Sequence, residues 1–265
     1  MRSEYFIYDG ITSEDMGLYS IRLRSGMIPE TYYAGGSIKE VSVPGRSSAY
    51  FQRFERSPLE FNITVSPLDG EWTPQLKAEV AEWLFKETYA PFQKGEDEGV
   101  IYYAICTKAG DLMTANGKGY VDLTFRCKDP YGFLLPTVQT LDLRDNSAGG
   151  TVIVIENQTN MEKYVYPQLE IEMELGENSF SIENISNGGE TFELNFNQSP
   201  TPAPPLENEV IYVDNGLRYI HSNKNQVNRY AIFNRTWLKL VRGENTIKIK
   251  GKCILRVRTQ IPIIR

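Results

Sequence analysis

Histidine is almost missing from this chain: His221 is the only one. A metal helix of the His-Glu-x-x-His kind or a multi-histidine iron site needs more, and is excluded. A Ser-His-Asp or Cys-His group would have to run through His221, which sits in a polar segment that reads as surface or loop. Cysteine is nearly as scarce. Cys106, Cys127 and Cys253 lie far apart and form no Cys-x-x-Cys, which argues against a disulfide framework or a thiolate zinc site. The expectation is a reduced, intracellular history. Neither a Gly-x-x-x-x-Gly-Lys-Ser/Thr nor a Gly-x-Gly-x-x-Gly loop is present. No apolar run approaches the roughly 20 residues of a membrane helix, so no membrane partner is expected. The N-terminus lacks the apolar core of a secretory signal. The acidic loop Gly95–Gly99 lacks calcium-loop spacing. No cofactor and no metal are expected. Acids are plentiful, but none is marked as buried and raised in pKa, as a general acid must be. A carboxylate-only enzyme is therefore the remotest reading.

What is present points to strands. The chain has 265 residues, about two domains' worth, with 16 tyrosines and 12 phenylalanines. From Leu59 to Ser66, Leu59, Phe61, Ile63 and Val65 alternate with polar residues, a period of two with one buried face. Val100–Thr107 and Gly119–Cys127 read as two further strands, with Cys127 on the apolar phase as a small core residue. One helix is expected over 74–88. Thr73 caps it, Pro74 suits its first position, and Leu76, Val80, Trp83 and Leu84 form the stripe that packs on a sheet.

A domain boundary is expected across 136–150, where Pro136, Asn146-Ser147 and Gly149-Gly150 break the pattern. Beyond it, strands restart at short spacing: Val152–Ile155, Leu169–Met173, Ser179–Ile185, Thr191–Phe196, Val210–Val213, Trp237–Leu240, Thr246–Lys250 and Cys253–Thr259. Short alternating strands with turn signals and no helix suggest a β-sandwich of jelly-roll type. The proline-rich stretch Ser199–Pro205 reads as a stiff loop. The Asn-x-Ser/Thr triplets at Asn62, Asn157, Asn184 and Asn234 are coincidental without secretion.

Charge is segregated along the chain. Residues 151–214 carry 12 acidic residues and one basic one, Lys163, whereas residues 215–265 carry 12 basic residues and only Glu244. Glu170, Glu172, Lys248, Lys250, Arg256 and Arg258 all fall on alternate strand positions. Acidic and basic strands are expected side by side in one sandwich, where opposite charges pair and like charges would cost. The rival is two patches meeting between protomers. A basic tail also suits nucleic acid, but its aromatic, strand-patterned sequence is not a flexible basic arm.

The opening Phe6-Ile7-Tyr8-Asp9-Gly10, the run Ser13–Leu18 and Val43-Pro44-Gly45-Arg46 resemble the start of distal tail proteins of long, non-contractile-tailed phages of Gram-positive bacteria. Ser47-Ser48 departs from that pattern, where a glycine is expected. Asp129-Pro130-Tyr131 resembles the close of that family's N-terminal domain, and Asn234–Leu240 with Arg242–Ile247 resembles a strand pair of its C-terminal domain. The resemblance spans the whole chain in layout.

It implies a mainly β protein: an N-terminal β-sandwich-like domain over 1–135 that forms a ring, and a galectin-like sandwich over 151–265. It implies a homo-hexamer at the virion tail tip, between the tail tube protein and a tail-associated lysin or fibre hub, with receptor-binding or adhesion proteins attached. Phage DNA would pass through without sequence readout. The segment Ala34–Ser48 and the Gly110–Gly119 hairpin are candidate arms, and Val43, Pro44, Gly45, Arg46, Asp129, Pro130 and Tyr131 candidate interface residues. The alternative is a carbohydrate-binding or adhesin module, with Tyr212, Tyr219 and Tyr230 stacking on saccharide.

Overall fold

The structure, a computed structural model, describes residues 5–21, 33–95, 97–110, 112–116, 118–197 and 203–264. Glu96, Gly117, Leu23 and residues 199–202 of the proline stretch lie outside the described residues. The chain divides into two compact units, one of Met1–Leu134 with Ile264–Arg265 and one of Leu135–Ile263.

The N-terminal unit carries β1 (Phe6–Tyr8), β2 (Ile11–Thr12), β3 (Leu18–Ser20), β4 (Gly36–Val41), β5 (Tyr50–Arg56), β6 (Glu60–Pro67), β7 (Ala90–Lys94), β8 (Asp97–Ala109), β9 (Met113–Ala115), β10 (Lys118–Cys127) and β11 (Gly132–Leu134). Its main sheet runs β2-β1-β7-β8-β10-β6-β3. One face is buried by the expected alternation, Phe61 opposite Phe125 and Val65 opposite Val121. Among the described residues the one α-helix, α1, spans Pro74–Leu84. It is shorter than the expected 74–88, because Phe85 turns to extended backbone and its N–H closes back on Ala81 O. Thr73 caps its start, accepting from Leu76 N at 3.1 Å. Val80, Trp83 and Leu84 are buried. Trp83 stacks on Phe6 at 5.5 Å and donates its indole N–H to Tyr8 O at 3.0 Å. Phe92 lies 5.4 Å from Phe6 and 5.0 Å from Phe125, so the core is a web of aromatic rings. Such ring pairs add about 0.5–1.5 kcal/mol beyond their burial.

The C-terminal unit carries β12 (Thr137–Asp142), β13 (Thr151–Asn157), β14 (Gln168–Met173), β15 (Ser179–Asn184), β16 (Glu190–Asn195), β17 (Val210–Asp214), β18 (Tyr219–Ser222), β19 (Gly243–Lys250) and β20 (Cys253–Thr259). Two sheets, β12-β20-β14-β17-β18 and β13-β19-β15-β16, enclose one core that includes Ile171, Phe180, Phe192, Ile249 and Leu255. Within the expected boundary segment 136–150 lies β12, which pairs with β20 from Thr137↔Thr259 to Asp142↔Ile254.

Acidic and basic strands do lie side by side. Glu170 pairs with Arg256 across β14 and β20, with a 3.1 Å contact, and Glu183 faces Lys248 across β15 and β19. Exposed pairs of this kind contribute only about 0.2–1 kcal/mol each, so they tune register more than stability.

Trp237–Leu240, expected as a strand, is not one. Buried asparagines take over its backbone groups. Asn215 Oδ1 accepts from Leu238 N at 2.8 Å, Asn184 Nδ2 donates to Lys239 O at 2.8 Å, and Asn157 Nδ2 donates to Leu240 O at 3.2 Å. Among the described residues its only strand-type pairing is an isolated bridge, Val165↔Leu240. An asparagine side chain can match a peptide group's donor and acceptor, which lets an irregular segment be buried without a ladder.

A buried ion pair holds residues 203–209, just before β17. The Arg229 and Glu209 side chains are 1% and 2% exposed. Arg229 Nε donates to Glu209 Oε1 at 2.7 Å, and the guanidinium also donates to Ala203 O and Pro204 O. Glu209 further accepts from Ser222 Oγ at 2.7 Å and Leu206 N at 3.0 Å. Burial pushes its carboxyl up, but the bonds from Arg229, Ser222 and Leu206 outweigh it and hold it below the usual range.

Candidate functional site

Two surfaces stand out, one in each unit. In the N-terminal unit, among the described residues, β4 and β5 pair only with each other. Between them Val43 O accepts from Arg46 N at 3.1 Å, with Gly45 at φ +84°. Proline second and a positive-φ glycine third make a type II turn, so Pro44 and Gly45 shape the loop while Ser47-Ser48 need not. Nearly every residue of the hairpin is exposed. Its apolar side chains are large: Phe51 is 67% exposed, Ile38 60% and Phe54 45%. A two-stranded hairpin is marginal in water on its own, and exposed apolar strand edges are normally covered.

Asp129, Pro130 and Tyr131 lie elsewhere, in the bend after β10, and are half-buried. Asp129 O accepts from Leu59 N at 3.2 Å, and the Tyr131 ring meets Phe133 at 5.4 Å. Met113 in β9, within the other candidate arm, is exposed.

In the C-terminal unit the outer face of the five-stranded sheet holds a cavity of about 490 Å³. Register sets its floor in rows. Val138, Arg258, Gln168, Asp214 and Tyr219 form one; Arg256, Glu170, Tyr212 and His221 form the next. Tyr212 stacks on His221 at 4.8 Å and His221 on Tyr219 at 5.2 Å. Gln168 Nε2 donates to Asp214 Oδ2 at 2.8 Å, and Arg256 donates to Glu170 Oε2 at 3.1 Å. Tyr212 and Tyr219 thus share one site. Tyr230 is not part of it; its ring lies against Phe233 and Trp237. His221 belongs to the same strip, which its sequence neighbours gave no sign of.

Comparison with known proteins decides the family. Residues 1–129 match the model of a phage tail protein N-terminal domain, and residues 131–258 that of a phage tail C-terminal domain. The chain belongs to the phage tail proteins. A relative to this tail protein is the SPbeta prophage-derived uncharacterized protein YomH of Bacillus subtilis (strain 168), 26% identical over 97% of this chain and 96% of the relative. Among solved structures it is similar to the SPP1 Dit protein, a paradigm of the hub adsorption apparatus of phages infecting Gram-positive bacteria. That match has a TM-score of 0.69 and 11% identity over 98% of this chain and all of the other. A chain of the phage P2 baseplate in its activated conformation with Ca matches with a TM-score of 0.53 and 8% identity, over 98% of each chain. The tail protein therefore has the mainly β fold of the distal tail family and its place is the virion tail.

Burial pushes the thiols of Cys127 and Cys253 up to about 12, so both stay protonated at neutral pH, as small core residues do. No cluster of three or more metal-ligating side chains occurs among the described residues, and no helix among them is long and apolar enough to cross a membrane. The sequence reading passed over Phe51 and Phe54, although the run Tyr50-Phe51-Gln52-Arg53-Phe54 was the available signal. It also passed over Gln168 and Asp214, which only strand register brings into the cavity.

Proposed function

We propose that this tail protein is the hub at the distal tip of a phage tail, six copies closing into a ring. The ring joins the tail tube protein to a tail-associated lysin or fibre hub, and DNA leaves through it unread. The role is structural, not catalytic. The observation that carries this reading is the hairpin β4–β5: a marginal two-stranded element showing Ile38, Phe51 and Phe54 to solvent calls for a covering partner. A neighbouring copy is that partner, because a heterologous contact repeated around an axis closes a ring and leaves no hairpin uncovered. Val43, Pro44, Gly45 and Arg46 lie at its turn and enter the contact first; Asp129, Pro130 and Tyr131 support it from the unit's own bend. The C-terminal unit, read as a galectin-like sandwich on the outside, carries the adhesion components.

Light scattering on the full chain, alone and mixed with its tube and lysin neighbours, tests the proposal. A hexamer is expected in at least one of those samples, and Phe51→Asp combined with Phe54→Asp should reduce it to single copies. A chain that stays single in every mixture overturns the ring. A ring that survives both substitutions overturns the hairpin's part in it.

A further inference from the structure

We propose that the outer face of the β12-β20-β14-β17-β18 sheet is a binding site for an uncharged saccharide. The inference goes beyond the hub reading, and concerns what the C-terminal unit touches when the tail is assembled.

The cavity's size, about 490 Å³, lies within the roughly 300–1,000 Å³ usual for small-ligand sites. Its two halves differ chemically. On β17 and β18 the rings of Tyr212, His221 and Tyr219 form a continuous stack. An aromatic face is electron-rich, so it favours the weakly positive C–H face of a sugar ring. On β14 and β20 the side chains of Gln168, Glu170, Arg256 and Arg258 stand in adjacent register positions. Vicinal hydroxyls both donate and accept. Carboxylate and amide oxygens beside guanidinium donors satisfy both needs in one plane.

Charge narrows the ligand. The charged lining is balanced, Arg256 and Arg258 against Glu170 and Asp214. A phosphate or uronate entering the floor would meet both carboxylates, so a neutral sugar fits better. Nucleic acid is disfavoured for the same reason: there is no net cationic surface to gather phosphates. A protein partner is disfavoured too, because charged residues are depleted from the centre of protein interfaces and here they form the floor. The aromatic residues are also held in place before any ligand arrives. Backbone pairing fixes Tyr212 opposite His221 and Asp214 opposite Tyr219, so little side-chain freedom remains to be lost on binding.

The test uses the full chain and a panel of neutral sugars: glucose, galactose, N-acetylglucosamine, cellobiose, lactose and chitobiose. Ligand-observed NMR detects binding and calorimetry measures it. At least one sugar should bind with millimolar affinity. Tyr219→Ala and Glu170→Gln, both surface changes that leave the core intact, should each weaken it about tenfold, and Tyr230→Ala should leave it unchanged. Absence of binding by every sugar at millimolar concentration overturns the proposal, and so does binding that neither Tyr219→Ala nor Glu170→Gln alters. Light scattering on the same variants should give the wild-type oligomeric state, which keeps failure here distinct from failure of the ring.

Discussion

Phe51 on the N-terminal hairpin and Tyr219 on the C-terminal sheet are both aromatic, both on strands and both more than half exposed, at 67% and 56%. Their surroundings differ. Among the described residues the hairpin has no third strand, and its apolar side chains occur along both of its strands. Tyr219 stands on the edge of a five-stranded sheet, stacked on His221 and bordered by amide, carboxylate and guanidinium groups. The first arrangement suits a broad apolar partner that completes a marginal element. The second suits a small polar ligand on a floor that is already rigid. Exposure alone does not say what an aromatic residue is for; the strand pairing beneath it and the polar groups beside it do.

If the C-terminal unit is self-sufficient where the hairpin is not, the sharpest contrast should come from its buried ion pair. Arg229→Ala leaves Glu209 buried and unpaired, and should cost the C-terminal unit about 3–5 kcal/mol in calorimetric or denaturant unfolding, with the hairpin-dependent oligomer less affected. The pH response should also reverse. In the wild type Glu209 titrates below its unfolded value, so its contribution is complete above about pH 4.3 and is lost as pH falls through the folded pKa. In Arg229→Ala the bonds from Ser222 and Leu206 remain but the guanidinium no longer offsets burial, which raises the carboxyl, so acidification from neutral should relieve part of the lost stability instead.

A smaller effect is expected in the hairpin. Gly45→Ala puts a side chain at φ +84° and should destabilise the turn by about 1–2 kcal/mol. Faster amide exchange in Gly36–Arg56, with no change in the C-terminal unit's melting, would show it. The smallest belongs to the exposed Arg256–Glu170 pair: Arg256→Ala should shift unfolding by about 1 kcal/mol or less, and less still at high salt.

Much of this was legible in the chain. The alternation in Leu59–Ser66 named the buried face of β6, and Thr73-Pro74 with Trp83 named the helix and its anchor. The segregated charges of residues 151–265 gave neighbouring strands, because like charges side by side cost energy. Three things were hidden. The helix end depends on the backbone of Phe85, which its composition does not announce. Trp237–Leu240 has a strand's residues, but Asn157, Asn184 and Asn215 reach it from 23 to 83 residues away in sequence. The saccharide face needs two register rows across five strands, and a one-residue slip would turn each row to the other face. Tyr212 and Tyr219 were identifiable as aromatics able to stack on a ligand; their partners were not.

The placement of the last two long strands also bears on how the protein is made. β19 lies between β13 and β15, and β20 between β12 and β14. Both sheets of the sandwich therefore have a central gap until the ribosome has released Gly243–Thr259. A nascent chain halted before that point would hold two split sheets with open edges. Emergence of β19 and β20, rather than of any earlier strand, is the event that lets this half close.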